Sequence, residues 1–261
     1  MTESPGLAVL TGAARGIGAA TAERLAADGW SLLLVDACAD QPGVGYQMPS
    51  VAELEAVAER CATTGSPRVE VLRADVADPE FGRALAVALQ GRAAGAAVAA
   101  AGVIAGSSAW ETSEQAWSTL IGVNLDGTRR LAEVTVPGMV AAGSGRFVAV
   151  ASAAALRAMP QLAAYSAAKA GVVAFVRALA ADLAGTGVSA NAICPGSTRG
   201  AMLVASAAVY ELADQEEFSH QQLVRRLLEP GEVAAAIAWL CGPDASALTG
   251  AAIPVDGGLT P

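Results

Sequence analysis

Short apolar runs alternate along the chain with longer stretches in which apolar positions recur every three or four residues. The runs Leu7–Thr11, Ser31–Val35, Arg68–Leu72, Ala96–Ala101, Arg146–Ala151, Val188–Ile193 and Ala251–Val255 read as strands. Their near-continuous apolar character is that of strands covered on both faces. Between them, Gly16–Asp28, Val51–Thr63, Pro79–Gln90, Glu114–Val140, Ala163–Ala184 and Gly231–Cys241 carry helical periodicity. Such alternation predicts a parallel sheet with helices on both faces. The expected fold is α/β: one Rossmann-like, doubly wound domain over residues 1–261 with a seven-stranded parallel sheet, binding ligands at the carboxyl ends of its strands. Two stretches break the rhythm. Residues 37–50 hold Pro42, Gly43, Gly45 and Pro49, exceed the usual βα connection of about 2–6 residues, and read as an insertion. Residues 197–222 mix apolar and polar positions and read as a substrate lid.

Composition narrows the classes. The chain is 54% apolar but only 4% aromatic, so the core is built from Ala, Val and Leu packed closely between helix and sheet. The net charge of −9 argues against general binding to nucleic acid or an anionic membrane. Cys38, Cys61, Cys194 and Cys241 are not spaced as CxxC, and there is one His, so no metal site is expected and the thiols read as free in a reducing cytoplasm. The N-terminal residues lack a basic leader pattern, and the least charged run, Ala93–Trp110, is broken by Gly and Ser. The expectation is a cytoplasmic protein with no membrane span.

Thr11-Gly12-Ala13-Ala14-Arg15-Gly16-Ile17-Gly18 lies between the first strand and the first helix. Gly12 permits the turn, Gly16 admits a pyrophosphate close to the backbone, and Gly18 lets the helix pack on the strand. Arg15 and Ile17 fall within the same cofactor-binding loop. Asp36 ends the second strand 18 residues after Gly18. An acid there accepts hydrogen bonds from adenosine ribose hydroxyls and repels a 2′-phosphate, so the cofactor expected is NAD rather than NADP. Asp75-Val76 follows the third strand, where a carboxylate can bond the adenine amino group, and Asp78 just beyond reads as a helix N-cap.

Tyr165 and Lys169 are four apart in a helical stretch and share a face. Lys169 is the one lysine among 16 basic residues, a position where arginine does not serve. Oxidising an alcohol requires removal of its hydroxyl proton, and a phenol of ordinary pKa, about 10, is a poor base near neutrality. A neighbouring ammonium and a positive nicotinamide ring both favour the phenolate. Ser152, just past the fifth strand, can steady the substrate oxygen, and Asn124 can hold a water that relays protons to Lys169.

These residues resemble the short-chain dehydrogenase/reductase family over nearly the whole chain. The TGxxxGxG loop, Asp75-Val76, Val123-Asn124, Ser152, the YxxxK pair, Pro195-Gly196 and Asp256-Gly257-Gly258 occur in the family's order. The resemblance implies Tyr165 as base, Lys169 on the nicotinamide ribose, Ser152 on the substrate oxygen and Asn124 completing a tetrad. It also implies that Pro195, Gly196 and Thr198 border the nicotinamide, that Ala101 and Gly102 belong to the cofactor wall, and that the chain forms a homotetramer. The departure is at Ala99-Ala100-Ala101-Gly102, where the family has NNAG and an asparagine that braces neighbouring backbone. Residues 37–50, the run Val98–Gly106 and Pro195-Gly196-Ser197-Thr198 with Ala201-Met202-Leu203 are further similar to the mycofactocin-coupled branch, which includes carveol dehydrogenase-like members. That branch implies tightly held NAD recycled by mycofactocin, a peptide-derived redox carrier.

The function read from the sequence is NAD-dependent interconversion of a small apolar alcohol and its ketone or aldehyde. Trp110, Leu156, Met159, Met202 and Leu203 are candidates for the apolar pocket. A 3-oxoacyl reductase would prefer NADPH, which Asp36 opposes. A non-catalytic NAD-sensing module would tolerate loss of Tyr165 or Lys169, and both are present. A Ser–His–Asp hydrolase would need a GxSxG elbow, which is absent, and His220 reads as a surface or lid residue.

Overall fold

A computed structural model describes residues 6–260. Among them, seven strands form one parallel sheet: β1 (Leu7–Thr11), β2 (Ser31–Asp36), β3 (Val69–Arg73), β4 (Ala96–Ala99), β5 (Gly145–Val150), β6 (Val188–Pro195) and β7 (Ala252–Val255), in the order β3-β2-β1-β4-β5-β6-β7. Register pairs Ala8 with Leu32 on one side of β1 and with Ala96 on the other. The order reverses between β1 and β4, and adjacent crossovers diverging there open a crevice at the carboxyl edge.

Each strand is apolar on both faces because each face has its own helical cover. Leu7, Val9, Leu33, Val35, Phe147 and Ala149 belong to one core, under α3 (Phe81–Leu89), α4 (Glu114–Ile121), α5 (Gly127–Ala142) and α6 (Ala163–Asp182). Ala8, Leu10, Leu32, Leu34, Val148 and Val150 point the other way, under α1 (Gly16–Ala27), α2 (Val51–Thr64) and α8 (Pro230–Cys241). The edge strands β3 and β7 depart from this pattern, with exposed and half-buried positions, since a strand at the rim has one neighbour. Helix α6 is long and apolar enough to cross a membrane, but 44% of its most apolar window is buried inside the fold.

Three local features differ from the sequence expectation. Helix α3 begins at Phe81 rather than Pro79, because the Asp78 carboxylate accepts from the Glu80 amide and makes a turn instead of a cap. The long helix expected over 114–140 is interrupted by a π turn at Gly122–Asp126. The irregular stretch 197–222 contains α7 (Ala201–Val209) and a 3₁₀ segment, Gln215–Gln221.

The glycine loop carries the tightest backbone approach. A Cβ on Gly18 would lie 2.0 Å from the Gly12 carbonyl oxygen, and one on Gly12, where φ is +70°, would lie 2.6 Å from the Ala101 backbone. Gly18→Ala therefore forces the loop apart and should lower Tm by about 5–10 °C, the scale of overpacking in a domain of this size. Gly231→Ala, where an added Cβ meets nothing within 4 Å at the exposed start of helix α8, should hold or slightly raise Tm. Equal melting of both variants by circular dichroism would contradict this.

Candidate functional site

A cleft of about 940 Å³ runs along the carboxyl edge of the sheet. Gly12, Arg15, Gly16, Ile17, Gly18, Asp36, Asp75, Val76, Ala101, Gly102, Ser152, Tyr165, Lys169, Pro195, Gly196 and Thr198 all line it. Of the catalytic and cofactor-binding residues expected from the sequence, Asn124 stands behind the wall rather than in it.

At one end, Asp36 accepts from the Ala14 amide at 3.1 Å and from the Cys38 amide at 3.0 Å, so β2 is tied to the glycine loop through one carboxylate. Asp75 accepts from the Ala77 amide at 2.8 Å and from Gln41 Nε2 at 2.8 Å, and Arg130 donates to the Val76 carbonyl oxygen at 2.9 Å. The missing asparagine of the β4 loop is replaced from two sides. Thr11 Oγ1 accepts from the Ala101 amide at 3.3 Å, while Asn124, on the π turn, accepts from the Val103 amide at 3.2 Å and donates to the Val103 and Leu120 carbonyls at 3.0 and 2.9 Å. The Asn124 side chain thus spends its hydrogen bonds on backbone rather than facing the cleft.

At the other end, the Ser152 hydroxyl lies by the Tyr165 phenol, and Lys169 Nζ donates to the Val150 carbonyl oxygen at 2.8 Å. Lys169 Nζ stands 5.8 Å from the centre of the Tyr165 ring. The expected lowering of the phenol's pKa by this ammonium is not what the protein alone produces. Burial pushes Tyr165 up to about 12, against a smaller downward pull from the Ser152 hydrogen bond and a small upward push from Tyr46. Burial also brings Lys169 down to about 8, with nearby Cys194 pulling weakly the other way. In both cases desolvation by burial is the largest cause.

The nicotinamide-side wall is braced by Gln222, which the sequence reading missed. Its Oε1 accepts from the Ser197 amide at 2.9 Å, and a Cβ on Gly196 would lie 2.5 Å from that oxygen. Beyond Tyr165 the cleft is lined by Met159, Leu162, Met202, Leu203, Tyr210, Leu212 and Phe218. Of the apolar candidates, Met159, Met202 and Leu203 fall here, whereas Trp110 and Leu156 are 85% and 42% exposed and lie outside it. Tyr210 holds α7 down by donating to the Pro160 carbonyl oxygen at 2.7 Å and meets Phe218 edge-on. His220 is exposed at the end of the 3₁₀ segment, and among the described residues no cluster suits a metal ion.

Residues 37–50 fold back over the cleft, and Ala37, Ala39, Gln41, Tyr46, Met48 and Pro49 form part of its wall. Val44, Tyr46 and Met48 rest on the core as their apolar character suggested.

A parallel sheet reversed at β1/β4, a glycine loop at that reversal, and a serine–tyrosine–lysine group across the cleft define a dinucleotide-dependent oxidoreductase class. The chain belongs to the short-chain dehydrogenase/reductase family; the family described as enoyl-(acyl carrier protein) reductase matches residues 12–260. It is 34% identical over 261 residues to an uncharacterized NAD-dependent oxidoreductase of Mycobacterium tuberculosis, covering 97% of this chain and 94% of the relative. It is 33% identical to (-)-trans-carveol dehydrogenase of Rhodococcus erythropolis, covering 97% of each. The crystal structure of carveol dehydrogenase from Mycobacterium avium in complex with NAD superposes with a TM-score of 0.92 at 24% identity over 98% of both chains, a likeness of fold.

Lys169 gives a stability test. Its folded-state pKa of about 8 lies below the ordinary 10.5, so the unfolded chain binds more protons between those values and stability falls as pH drops through that window. Lys169→Met removes this penalty, so the variant should melt about 3–6 °C above wild type at pH 7, with the gain fading by pH 10.5. A pH-independent difference, or a variant less stable at pH 7, would refute it.

Proposed function

We propose that the protein is an NAD-dependent oxidoreductase that interconverts a small apolar alcohol and its ketone or aldehyde. One observation carries the reading: the Ser152–Tyr165–Lys169 group and the glycine loop with Asp36 line the two ends of one cleft. The Gly12–Gly18 cradle, which side chains would fill, and the Asp36 carboxylate beside it fit a dinucleotide without a 2′-phosphate. NAD held there would supply the hydride acceptor for the carbinol carbon, and its positive ring would favour the phenolate.

Tyr165 Oη takes the hydroxyl proton of the alcohol in oxidation and returns it in reduction. Ser152 Oγ donates its one proton to the substrate oxygen and holds that oxygen beside the phenol. Lys169 Nζ adds positive charge behind the tyrosine and reaches the nicotinamide ribose. Asn124 fixes the Val103 backbone of the loop that carries Gly102. Pro195, Gly196 and Thr198, stiffened by Gln222, border the nicotinamide.

Residues 197–222 act as the substrate lid. Its underside favours an uncharged apolar substrate over a carrier-bound acyl group, because the arginines at that end are committed: Arg157 to the Leu259 carbonyl oxygen, and Arg199 to Glu216 and Glu229. Residues 37–50 act as a second lid that retains NAD between turnovers, which agrees with recycling in place by a carrier such as mycofactocin. Exposed Trp117 on α4 and Trp239 on α8 support burial between copies of the chain in a homotetramer.

Tyr165→Phe should keep the fold and NAD binding and lose at least about a hundredfold in turnover of a secondary alcohol, the scale of general-base catalysis. Near-normal turnover, measured with an artificial dye as acceptor, would remove Tyr165 from the mechanism. Asp36→Ala should narrow the preference for NAD over NADP about tenfold or more in a binding titration, since it removes both the ribose acceptor and the repulsion. Tighter NADPH than NADH binding by the wild type would show that the acid does not select the cofactor.

A further inference from the structure

Residues 37–50 are a built strap rather than a slack insertion. Asp40 accepts from the Met48 amide at 3.2 Å and closes the loop on itself, and Gln41 ties it to Asp75 across the adenosine end. Gly43, at φ +75°, presses on α4, where an added Cβ would lie 3.1 Å from Ala116 Cα. Ser50 ends the strap by capping α2 reciprocally with Glu53. Within it, Tyr46 is half-buried and reaches across the cleft: its hydroxyl oxygen accepts from the Ile104 amide at 3.3 Å, beyond the end of β4. The Arg15 guanidinium of the glycine loop lies 5.8 Å from the centre of its ring. Among the described residues the Tyr46 hydroxyl makes no further hydrogen bond and Arg15 makes no ion pair, so a phenol proton and a guanidinium remain to meet an anionic ligand.

Resting on the retained-cofactor reading above, we propose that Tyr46 is the clasp of this strap, a cofactor-retaining residue that joins it to Ile104 and, with Arg15, holds the dinucleotide's diphosphate. Tyrosine suits the task because its ring packs on the strap's apolar side while its tip remains polar. Arg15 then serves the clasp rather than a 2′-phosphate, consistent with Asp36 at the ribose position.

The test uses purified protein loaded with NADH, with release followed by stopped-flow fluorescence on mixing with excess NAD. Tyr46→Phe, which keeps the ring, should speed release about fivefold to tenfold, the worth of one or two hydrogen bonds. Tyr46→Ala should speed it about a hundredfold and leave less NAD on the protein after gel filtration. Gln47→Ala, at the exposed neighbouring position, should release NADH at the wild-type rate. Slow release from wild type with unchanged release from Tyr46→Phe and Tyr46→Ala would overturn the clasp and leave the retained-cofactor reading standing. Release from wild type within milliseconds would overturn that reading and the clasp with it. Phe keeps the packing, so its result decides the matter even where Ala costs stability.

Discussion

The closeness of β1 and β4 at the point where the sheet order reverses governs the rest of the molecule. Gly12 sits so tightly against Ala101 that no side chain fits between them, and Gly18 sits as tightly against Gly12. These contacts let the chain leave two neighbouring strands in opposite directions and open the crevice that the other loops then line. Thr11 and Asn124 secure the β4 side, and Asp36 secures the β2 side by bonding Ala14 in the same loop. Cofactor recognition and the integrity of the switch point are thus properties of the same few backbone atoms.

The catalytic end is built against stability. A buried tyrosine and a buried lysine each have their charged form disfavoured by desolvation, the largest cause acting on either. A site of this kind is a resting acid. On the proposed reading it would become a base when additional positive charge stands beside it, which would couple proton abstraction to the presence of an oxidised cofactor. The amine's hydrogen bond to the Val150 carbonyl keeps it in place meanwhile, at the end of the strand that leads to Ser152.

Much of this was legible in the residues. Two-faced apolar strands and periodic helices give the doubly wound sheet directly, because strand spacing and helix amphipathicity are local consequences of burial. The cleft-lining residues follow from ordered motifs whose chemistry depends on side-chain type. What was not legible depends on long-range contact. Helix α7 is hidden because its sequence, AMLVASAAV, is apolar nearly all round and lacks a periodic polar face. The π turn at Asn124 has no composition of its own. Thr11 taking over the brace of the missing asparagine, and Gln222 supporting Gly196, join residues 90 and 26 positions apart that no spacing rule connects. The only advance signal for Tyr46 was an aromatic residue in a loop rich in Gly and Pro, in a chain with three tyrosines.

The two irregular segments divide the cleft between them in a way that separates two rates. The strap of residues 37–50 is anchored at Asp75 on the β3–β4 connection and at Ile104 and Ala116 on the β4–β5 connection, so lifting it breaks contacts on two connections. The α7 segment is held by Tyr210 on the Pro160 carbonyl and by exposed arginine–carboxylate pairs, contacts of the kind that contribute little each in water. Buried Leu203, Ala207 and Phe218 add apolar contacts to the α7 segment, so each end of the cleft has its own separate fastening. A protein fastened this way can exchange substrate and product without exposing the cofactor, because opening one lid leaves the anchors of the other intact. On the proposed reading, reduced cofactor retained under the strap would be re-oxidised where it sits, by an acceptor entering from the substrate side. The fastening of two loops therefore constrains the chemistry of the whole cycle, although neither loop supplies the proton-transfer group.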